Sequence, residues 1–439
     1  MGVKRNQVTQ ASGLSRRALL VGVGVGGVAM ATNARGAFAA DAEKVLKVGF
    51  ISPRSGPLAG FGEGDPFVLS LARKSLAKGL KIGGTTYKVE IIDRDTQSNP
   101  SRAGQLANDL INNEKVDLML ATSTPEVVNP VADACEAAGV PCLGTVVPWE
   151  SFYFGRGGKP GQPSPFKWSY LFSFGTAEFA KTYLSMWDSM KTNKKVGVLY
   201  PNDADGNAVR AHLGPLLHKG GYTIVDPGPY EDGTTDYSAQ IALFKREHCE
   251  IFNTFPIPPD FAAFWRQAAQ QGYTRMVKIA QIAKTGLFPS DVEALGSLGY
   301  NLAGGAYWHE VFPYKSTLTG VSGIQLAEEY QKQTGRQRQQ QLGASMALLD
   351  AGFSTLEASS DPTSKAAVVK ALAKLNTTTM VGKVDFNTGP FPNVSVSPII
   401  GCQWIKAKPG SKYKFDFVTV DHATDPKVPI QAKLKPFNA

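Results

Sequence analysis

The chain has 439 residues and a formal net charge of +9 at pH 7, and five of its cations lie in the first forty residues, where no acidic residue offsets them. The rest of the chain carries a surplus of only four positive charges and has no clustered stripe of lysine and arginine, so we expect no nucleic acid partner. A chain of this length is too long for one ordinary hydrophobic core and predicts two domains.

The first forty residues have the pattern of an export signal. Basic residues up to Arg17 precede an apolar run over residues 18–31, and small residues ending in "GAFAA" follow that run. This order predicts that residues 1–40 are a signal peptide, cleaved after Ala39 or Ala40. The paired arginines before two leucines resemble a twin-arginine export signal.

The same segment contains Gly22, Gly24 and Gly27 in the G-x-G-x-x-G spacing of dinucleotide-binding loops. Such a loop requires a buried strand directly before the first glycine. The residues before this run are polar or basic up to Arg17, so we predict no cofactor loop there.

After the signal, short β-branched runs alternate with amphipathic segments, which is the pattern of parallel sheets with helices on both faces. The first group has predicted strands over residues 45–52, 87–95, 116–121 and 140–147 and predicted helices over residues 67–79, 99–116 and 125–139. A loop rich in glycine and proline follows over residues 154–166. This group predicts one wound lobe.

The alternation then begins again and predicts a second lobe. Its predicted helices cover residues 177–190, the segment after 203–207, 237–249 and 259–272, and its predicted strands cover residues 194–200, 222–225, 250–255 and 276–281. Three further helices, over residues 323–334, 344–359 and 363–375, precede a β-rich tail with runs at 397–407 and 412–420. The tail could return to either sheet, and two such lobes leave a ligand cleft at the carboxyl ends of their strands.

The residues that carry chemistry elsewhere are scattered here. Cys135, Cys142, Cys249 and Cys402 form no C-x-x-C pair and have no adjacent histidines, so we expect no metal site. Buried free thiols and disulfides, pairing Cys135 with Cys142 or Cys249 with Cys402, both stay open. No hydrolase motif is present, and His309 alone lies near a strand end on the cleft side, so we expect neither an enzyme nor a cofactor.

Five stretches of the chain stand in a recognisable order: "LKVGFISPRSGPLAGFGEG", "YKVEIIDRDTQSNPSRAGQLANDLI", "VNPVADACEAAGVP", "KKVGVLYPNDADGN" and "FAAFWRQAAQQGY". Together they resemble the leucine/isoleucine/valine-binding branch of the periplasmic solute receptors that serve ABC importers. The resemblance implies an α/β fold of the type I periplasmic binding protein class. In that fold, two doubly wound parallel-sheet lobes are joined by three crossovers, with a ligand cleft between them.

The resemblance also implies the domain division and the partners. Lobe 1 would comprise residues 41–172 and 309–397, and lobe 2 residues 173–308 and 398–439. The protein would be a periplasmic monomer that captures a small organic solute and delivers it to the ABC permease and ATPase subunits of the inner membrane. The alternative is a sensory subunit that presents its closed form to a membrane signalling protein.

The family implies that hydroxyls after the third strand hold a ligand carboxylate, and "ATSTPEV" supplies Thr122, Ser123 and Thr124 there. A helix N-terminus favours an anion, because its unpaired N–H groups carry a partial positive charge. The alternative is that Thr124 only caps its helix, while Glu126 favours the first turn.

Two departures from the family argue against a plain α-amino acid ligand. Where amino-acid binders place an acid for the ligand ammonium, this chain has Gln281 and Lys284. Asp203 or Asp205 could replace that acid. Lys284 could pair with a ligand carboxylate or phosphate, or could be a solvated surface charge.

The aromatic candidates begin with Phe61, which matches a residue that packs on the ligand in the family. Trp149, in "TVVPWES", stands where amino-acid binders have small hydroxyl residues, and this is the second departure. Phe255, Tyr153 and Trp308 also follow predicted strands or lie at their ends. Each of these side chains could line a pocket for a flat or branched apolar body or could pack in the core.

Overall fold

Two seven-stranded sheets, surrounded by helices, build the part of the chain that the computed structural model describes, residues 44–438. The predicted signal peptide lies outside these described residues. No helix among the described residues combines the length and the apolar character needed to cross a bilayer.

The strands follow one another along the chain as β1 (Val45–Ser52), β2 (Leu80–Ile82), β3 (Thr85–Asp95), β4 (Leu118–Thr122), β5 (Cys142–Thr145), β6 (Ser169–Ser173), β7 (Lys195–Leu199), β8 (Thr223–Val225), β9 (Ile251–Thr254), β10 (Ile279–Ile282), β11 (Ala303–Ala306), β12 (Asn376–Thr379), β13 (Gly382–Asp385), β14 (Val394–Val396), β15 (Ile400–Lys406) and β16 (Phe415–Asp421). The order in the first sheet is β14-β6-β5-β4-β1-β3-β2, and in the second sheet it is β16-β15-β11-β10-β9-β7-β8. β12 and β13 form a separate hairpin.

The helices are α1 (Asp65–Ser75), α2 (Pro100–Asp109), α3 (Pro125–Ala138), α4 (Trp149–Tyr153), α5 (Thr176–Asp188), α6 (Ala204–Lys219), α7 (Ser238–Arg246), α8 (Pro258–Gln270), α9 (Pro289–Ala294), α10 (Gly323–Thr334), α11 (Gln341–Ala358) and α12 (Lys365–Leu372). Shorter turns lie at Ala59–Phe61, Leu110–Glu114, Tyr273–Arg275 and Gly296–Gly299. Nearly every residue of α11 is buried, because this helix packs between α1 and the strands β4 and β5.

Most neighbouring strands in both sheets are parallel, and the antiparallel pairs lie at the edges. β2 pairs antiparallel with β3, and β15 and β16 extend the second sheet as antiparallel strands. The chain passes between the sheets three times, after β6, after β11 and after β14. The carboxyl ends of the parallel strands in each sheet are the places where such folds bind ligands.

The sequence predicted the α/β class and most of the elements correctly. The β-rich tail, which the sequence assigns to neither sheet, adds β15 and β16 to the second sheet. β6, β11 and β14 were missed, as were β2 and the β12–β13 hairpin. The helix predicted over residues 67–79 ends earlier, at Ser75, and Gly79 turns the chain into β2 with φ +79°. The proposed division into lobes stays a prediction.

Local sequence explains why α3 begins where it does. Thr124 has extended backbone angles, and Pro125 occupies the first helical position, where its missing N–H needs no partner. The helix ends at Gly139, which adopts the left-handed conformation with φ +68°.

The four cysteines, all within the described residues, are buried free thiols.

Candidate ligand-binding site

A cavity lies where the carboxyl ends of strands from both sheets meet. From the first sheet it is lined by Thr124 after β4, Val146 after β5 and Phe174 after β6, and from the second by Phe255 after β9 and Lys284 after β10. About 410 Å³ of this space is not filled by atoms. We call it the central cavity, and its position at the strand ends is that of a ligand site in such folds.

Five of the residues that line the cavity have aromatic rings. Phe174 and Tyr307 stack with their ring centroids 5.6 Å apart and 17° between their planes. Phe179 meets Phe174 edge-on at 5.2 Å and Phe255 edge-on at 5.1 Å. Phe61 completes the wall from the loop after β1. Such walls suit a flat or branched apolar body.

The polar end of the cavity contains a lysine surrounded by acids. The Lys284 ammonium lies 2.9 Å from the Asp203 carboxylate, 3.1 Å from that of Asp205 and 3.8 Å from that of Glu126. Glu126 belongs to α3 beside the first sheet, whereas the two aspartates lie at the start of α6 beside the second. We call Glu126, Asp203 and Asp205 around Lys284 the carboxylate cluster, and it joins elements from both sides of the cavity.

This cluster holds more negative than positive charge. Burial alone would lower the pKa of Lys284, but Glu126, Asp205 and Asp203 raise it well above its ordinary value. Burial raises the pKa of Asp205, against the influence of the Lys284 ammonium. Burial and the Asp203 carboxylate also raise the pKa of the neighbouring Asp232 to about 6. The cluster therefore offers a favourable place for an additional cationic group.

Two hydroxyl groups beside the cluster are buried without a partner. Ser123 Oγ and Thr124 Oγ1 are both inaccessible and lack a hydrogen bond within the described part of the chain, and the carboxylate oxygens of Glu126 likewise accept none there. Thr124 precedes α3, yet among the described residues its side chain makes no capping hydrogen bond. The capping interpretation of its hydroxyl is therefore wrong, and neither hydroxyl is engaged by another described residue.

The backbone is strained at three points around the cavity. Ser123 has φ +127° after β4, Val146 has φ +65° after β5 and Lys284 has φ +62° after β10. Positive φ is rare for residues other than glycine, above all for a β-branched residue such as valine. Such conformations cluster at functional sites, where the surrounding structure holds them in place.

Two contacts join the residues on opposite sides of the cavity. The ring of Phe61, in the loop after β1, meets Phe288 before α9 edge-on at 4.8 Å. The Ser151 hydroxyl on α4 donates to the Asp205 carboxylate at 3.2 Å. Residues from both sheets therefore surround the central cavity.

The residues predicted from the sequence to bind the ligand separate into two groups. Five of them, Phe61, Thr124, Asp205, Phe255 and Lys284, line the central cavity itself. The interpretation of Lys284 as a solvated surface charge is wrong, because its side chain is 5% exposed. Ligand contact by these residues stays a prediction.

The other predicted residues make contacts within the protein. Asp203 pairs with Lys284, and the hydroxyl of Thr122 accepts from Gln341 Nε2 at 2.9 Å. Gln281 Oε1 accepts from the indole of Trp187 at 3.3 Å. Ser123 adjoins the cavity residue Thr124.

The remaining aromatic and histidine candidates pack away from the central cavity. Trp149 packs against Phe154 and Phe391, outside the set of described residues that line this cavity. Tyr153 stacks on Phe391 at 4.0 Å. His309 is buried, and its Nε2 bonds the Phe417 carbonyl oxygen at 2.7 Å.

Sequence reasoning missed several wall residues. Phe174 and Tyr307 directly follow β6 and β11, two strands that were not predicted, so their position at strand ends could not be seen. Phe179 lies on α5, where helical periodicity predicts only a core residue. Nothing in the sequence pattern distinguishes Val146, whose backbone is strained, or Glu126, whose carboxylate joins the ion cluster of Lys284.

A family model described as "Periplasmic binding protein" matches residues 45–393. The chain therefore belongs to the periplasmic binding protein family, as its resemblance implied. Leu/Ile/Val-binding protein homolog 8 of Brucella suis is 24% identical over 330 residues, which cover 73% of this chain and 76% of that protein. Homolog 7 of the same organism is 23% identical over 320 residues, 70% of this chain and 75% of the relative.

Solved structures show the same fold. The branched-chain amino acid transporter substrate-binding protein LivJ of Streptococcus pneumoniae, in complex with isoleucine, has a TM-score of 0.65 at 17% identity, covering 86% of this chain and 100% of that one. A solute-binding protein of an ABC transporter from R. palustris, in complex with 4-hydroxybenzoate, has a TM-score of 0.69 at 18% identity, covering 87% and 99%. The type I periplasmic binding protein fold is thus confirmed.

Proposed function

We propose that this protein is the extracytoplasmic receptor of an ABC uptake system for an amino-acid-like solute with an aromatic or branched apolar side chain. It is exported through the signal in residues 1–40, acts as a periplasmic monomer, and delivers its ligand to a permease and ATPase complex in the inner membrane. The observation that carries this proposal is the central cavity, whose walls are aromatic and whose polar end combines unpaired hydroxyls with surplus carboxylates.

The polar end supports two separate roles. The ligand carboxylate binds the hydroxyls of Ser123 and Thr124 at the N-terminus of α3, where the helix dipole favours an anion. The ligand ammonium joins the carboxylate cluster beside Asp205 and Glu126, because that cluster has more acids than cations. Lys284 is then a counter-ion of the protein's own acids rather than the partner of a ligand anion.

The apolar body of the ligand occupies the space between the aromatic rings. Phe174 and Tyr307 face it from the connections after β6 and β11, and Phe255 faces it from the loop after β9. Burial of apolar surface supplies most of the favourable free energy, about 25 cal/mol for each Å² removed from water. The hydroxyls and acids set the orientation of the ligand.

The protein captures its ligand by hinge closure, and no covalent bond is formed or broken. The open receptor exposes the strand ends, and a ligand that touches residues of both sheets binds the closed form more tightly than the open one. This difference in affinity moves the population to the closed form. The three connections between the sheets are the segments that bend, and the permease distinguishes the two shapes.

Two neighbouring structures bracket the ligand chemistry, since one binds isoleucine and the other 4-hydroxybenzoate. A simple benzoate offers a carboxylate but no cation for the cluster at Asp205. An aromatic amino acid offers both together with a flat apolar body. We therefore propose the zwitterionic class for this chain.

The experiment is a thermal melting series with four matched probes: L-phenylalanine, L-leucine, 3-phenylpropanoate and 2-phenylethylamine. A compound that binds only the folded state raises the melting temperature by mass action. We expect L-phenylalanine to give the largest rise, because it alone has carboxylate, ammonium and ring. A larger rise with 3-phenylpropanoate would contradict the ammonium assignment, and no rise with any amino acid or carboxylate would contradict the proposed function.

A further inference from the structure

A second cavity adjoins the central cavity where the chain passes from β11 towards α10. Leu287 lines both cavities and forms the boundary between them. We call this second cavity the junction cavity. Its other walls are Trp308, residues 337–340 and the strand residues Trp404 and Phe417.

Four buried polar atoms of the residues lining this junction cavity have no partner among the described residues. They are the donors Trp308 Nε1, Gln339 Nε2 and Gln340 Nε2 and the acceptor Gln337 Oε1. All four side chains belong to residues that are at least nine-tenths buried. A buried donor without a partner costs about 1–3 kcal/mol, so an occupant that satisfied these atoms would be favoured.

The hydrogen bonds that the side-chain oxygens of Gln339 and Gln340 accept fix the orientation of these two side-chain amides. Gln340 Oε1 accepts from the Tyr307 N–H at 3.0 Å, and Gln339 Oε1 accepts from the Gln341 N–H at 2.8 Å. Because each oxygen is engaged, each NH₂ group is left as the free end. Tyr307 is itself part of the central cavity wall, which links the two sites through one hydrogen bond.

The charged groups of the junction cavity satisfy one another. Arg338 pairs with Glu310 at 2.5 Å and with Asp416 at 2.9 Å. Burial lowers the pKa of His309, and its Nε2 bonds the Phe417 carbonyl oxygen. The two acids outnumber the single arginine, so an anion would find no unpaired cation among the described residues that line this cavity. A neutral oxygen acceptor fits this environment better.

We propose that the junction cavity is a second subsite of the ligand chamber, which binds a neutral polar group such as a carboxamide at the distal end of the ligand. Trp308, Gln339 and Gln340 donate to its oxygen, and Gln337 accepts from its N–H. The body of the ligand lies in the central cavity, and its distal group passes Leu287. This inference rests on the proposed function, because it extends the same ligand.

The test uses three amino acids with the same body: L-phenylalanine, 4-carbamoyl-L-phenylalanine and 4-carboxy-L-phenylalanine, titrated calorimetrically into the purified protein. We expect the carbamoyl compound to bind at least about fivefold more tightly than L-phenylalanine, the equivalent of one or two hydrogen bonds. We expect the carboxy compound to bind more weakly than the carbamoyl compound.

Gln340→Glu replaces the free NH₂ group by an acceptor while keeping the oxygen that Tyr307 uses. We expect it to reduce the ratio of carbamoyl to phenylalanine affinity to about one, since the added acceptor cannot donate. Gln333→Glu adds the same charge at an exposed position of α10 and is the matched control, which should keep the ratio. Trp308→Phe removes one hydrogen-bond donor and should also lower the ratio of the two affinities, so it tests the subsite if Gln340→Glu does not fold.

The outcomes separate the two proposals. Equal affinity for all three compounds, or a preference that survives both Gln340→Glu and Trp308→Phe, overturns the junction subsite and means that the cavity holds only water, while the proposed function stands. If none of the three compounds binds, the junction subsite is overturned, and the proposed function is overturned as well if L-leucine and 3-phenylpropanoate also fail to bind.

Discussion

Lys284 Nζ and the Asp205 carboxylate lie 3.1 Å apart at the polar end of the central cavity, and both side chains are more than nine-tenths buried. Asp203 and Glu126 share the same ammonium. A lysine that follows a strand in a sequence has no feature that predicts such surroundings. Three carboxylates around one ammonium give the site a surplus of negative charge, and this surplus favours a ligand with an ammonium group over a simple anion.

Lys284→Met tests this ion cluster through stability. Removing one partner of a buried ion pair leaves uncompensated charge, so we expect the free energy of unfolding to fall by about 3 kcal/mol in urea denaturation. Without Lys284 the pKa of Asp205 rises further above its unfolded value, and the folded state then binds a proton that the unfolded state has lost. The deficit should therefore be larger at about pH 8 than at about pH 5.

Lys278→Met is the control for this prediction. Lys278 pairs with Glu250 at 3.0 Å, but its side chain is 39% exposed. An exposed pair contributes less than about 1 kcal/mol, so this variant should lose little stability at either pH. Equal losses in the two variants would show that the Lys284 cluster is no more than a surface ion pair.

Thr124→Val should have opposite effects on stability and binding. The hydroxyl of Thr124 is buried without a partner among the described residues, so its removal should raise the free energy of unfolding by about 1 kcal/mol. The same change removes a proposed ligand contact and should weaken binding of L-phenylalanine about tenfold. Urea denaturation and calorimetric titration measure the two effects.

Thr182→Val is the matched change at a hydroxyl that has a partner. Thr182 Oγ1 donates to the Ile399 carbonyl oxygen at 2.6 Å, so this variant should lose stability instead of gaining it. A loss of stability in Thr124→Val as well would mean that its hydroxyl is engaged in the unliganded protein.

Asp65→Asn tests a buried carboxyl group outside the ligand site. Burial raises the pKa of Asp65 to about 7, against hydrogen bonds from Ser345 and Ser52. Between about pH 4 and about pH 7 the folded state keeps a proton that the unfolded state has lost, so this group makes stability fall as the pH rises. The variant should therefore be more stable than the wild type by about 2 kcal/mol near pH 8, with little difference near pH 4.

Urea denaturation across this pH range measures the free energy of unfolding of the variant and of the wild type. The difference between the two values removes the contribution of the other titrating groups. Asp361→Asn changes an exposed carboxylate whose pKa is lowered by hydrogen bonds from Thr363, so it should show no gain near pH 8. A difference between Asp65→Asn and wild type that does not depend on pH would contradict the raised pKa of Asp65.

Strands and helices with a clear local pattern could be predicted from the sequence, whereas a strand made of small residues could not. β1, a short run of mostly buried apolar residues, and α3, with its proline at the first position, could be predicted because the local sequence agrees with the structure. β11 reads "AGGA" and has none of the β-branched residues that indicate a strand. Gly305 is needed there because Ile399 and Phe179 lie within 2.8 Å and 3.2 Å of where a side chain on this residue would begin.

The site was predictable in its location but only partly in its chemistry. The loop after β4 was predicted as a ligand contact from the family's order and from the position of a helix N-terminus. Within the described part of the chain the hydroxyls of Ser123 and Thr124 have no hydrogen-bond partner, whereas that of Thr122 accepts from Gln341, and ligand contact by this loop stays a prediction. The roles of Glu126, Phe174 and Tyr307 depend on which distant segments meet across the two sheets. That arrangement is set by tertiary packing, and no local pattern reports it.

The most direct test is a crystal structure of the protein grown with L-phenylalanine. We expect the amino acid in the central cavity, with its carboxylate within hydrogen-bonding distance of Thr124 Oγ1, its ammonium facing Asp205 and its ring among the aromatic walls. An empty central cavity, or a ligand bound with its carboxylate on Lys284, would contradict the proposed recognition.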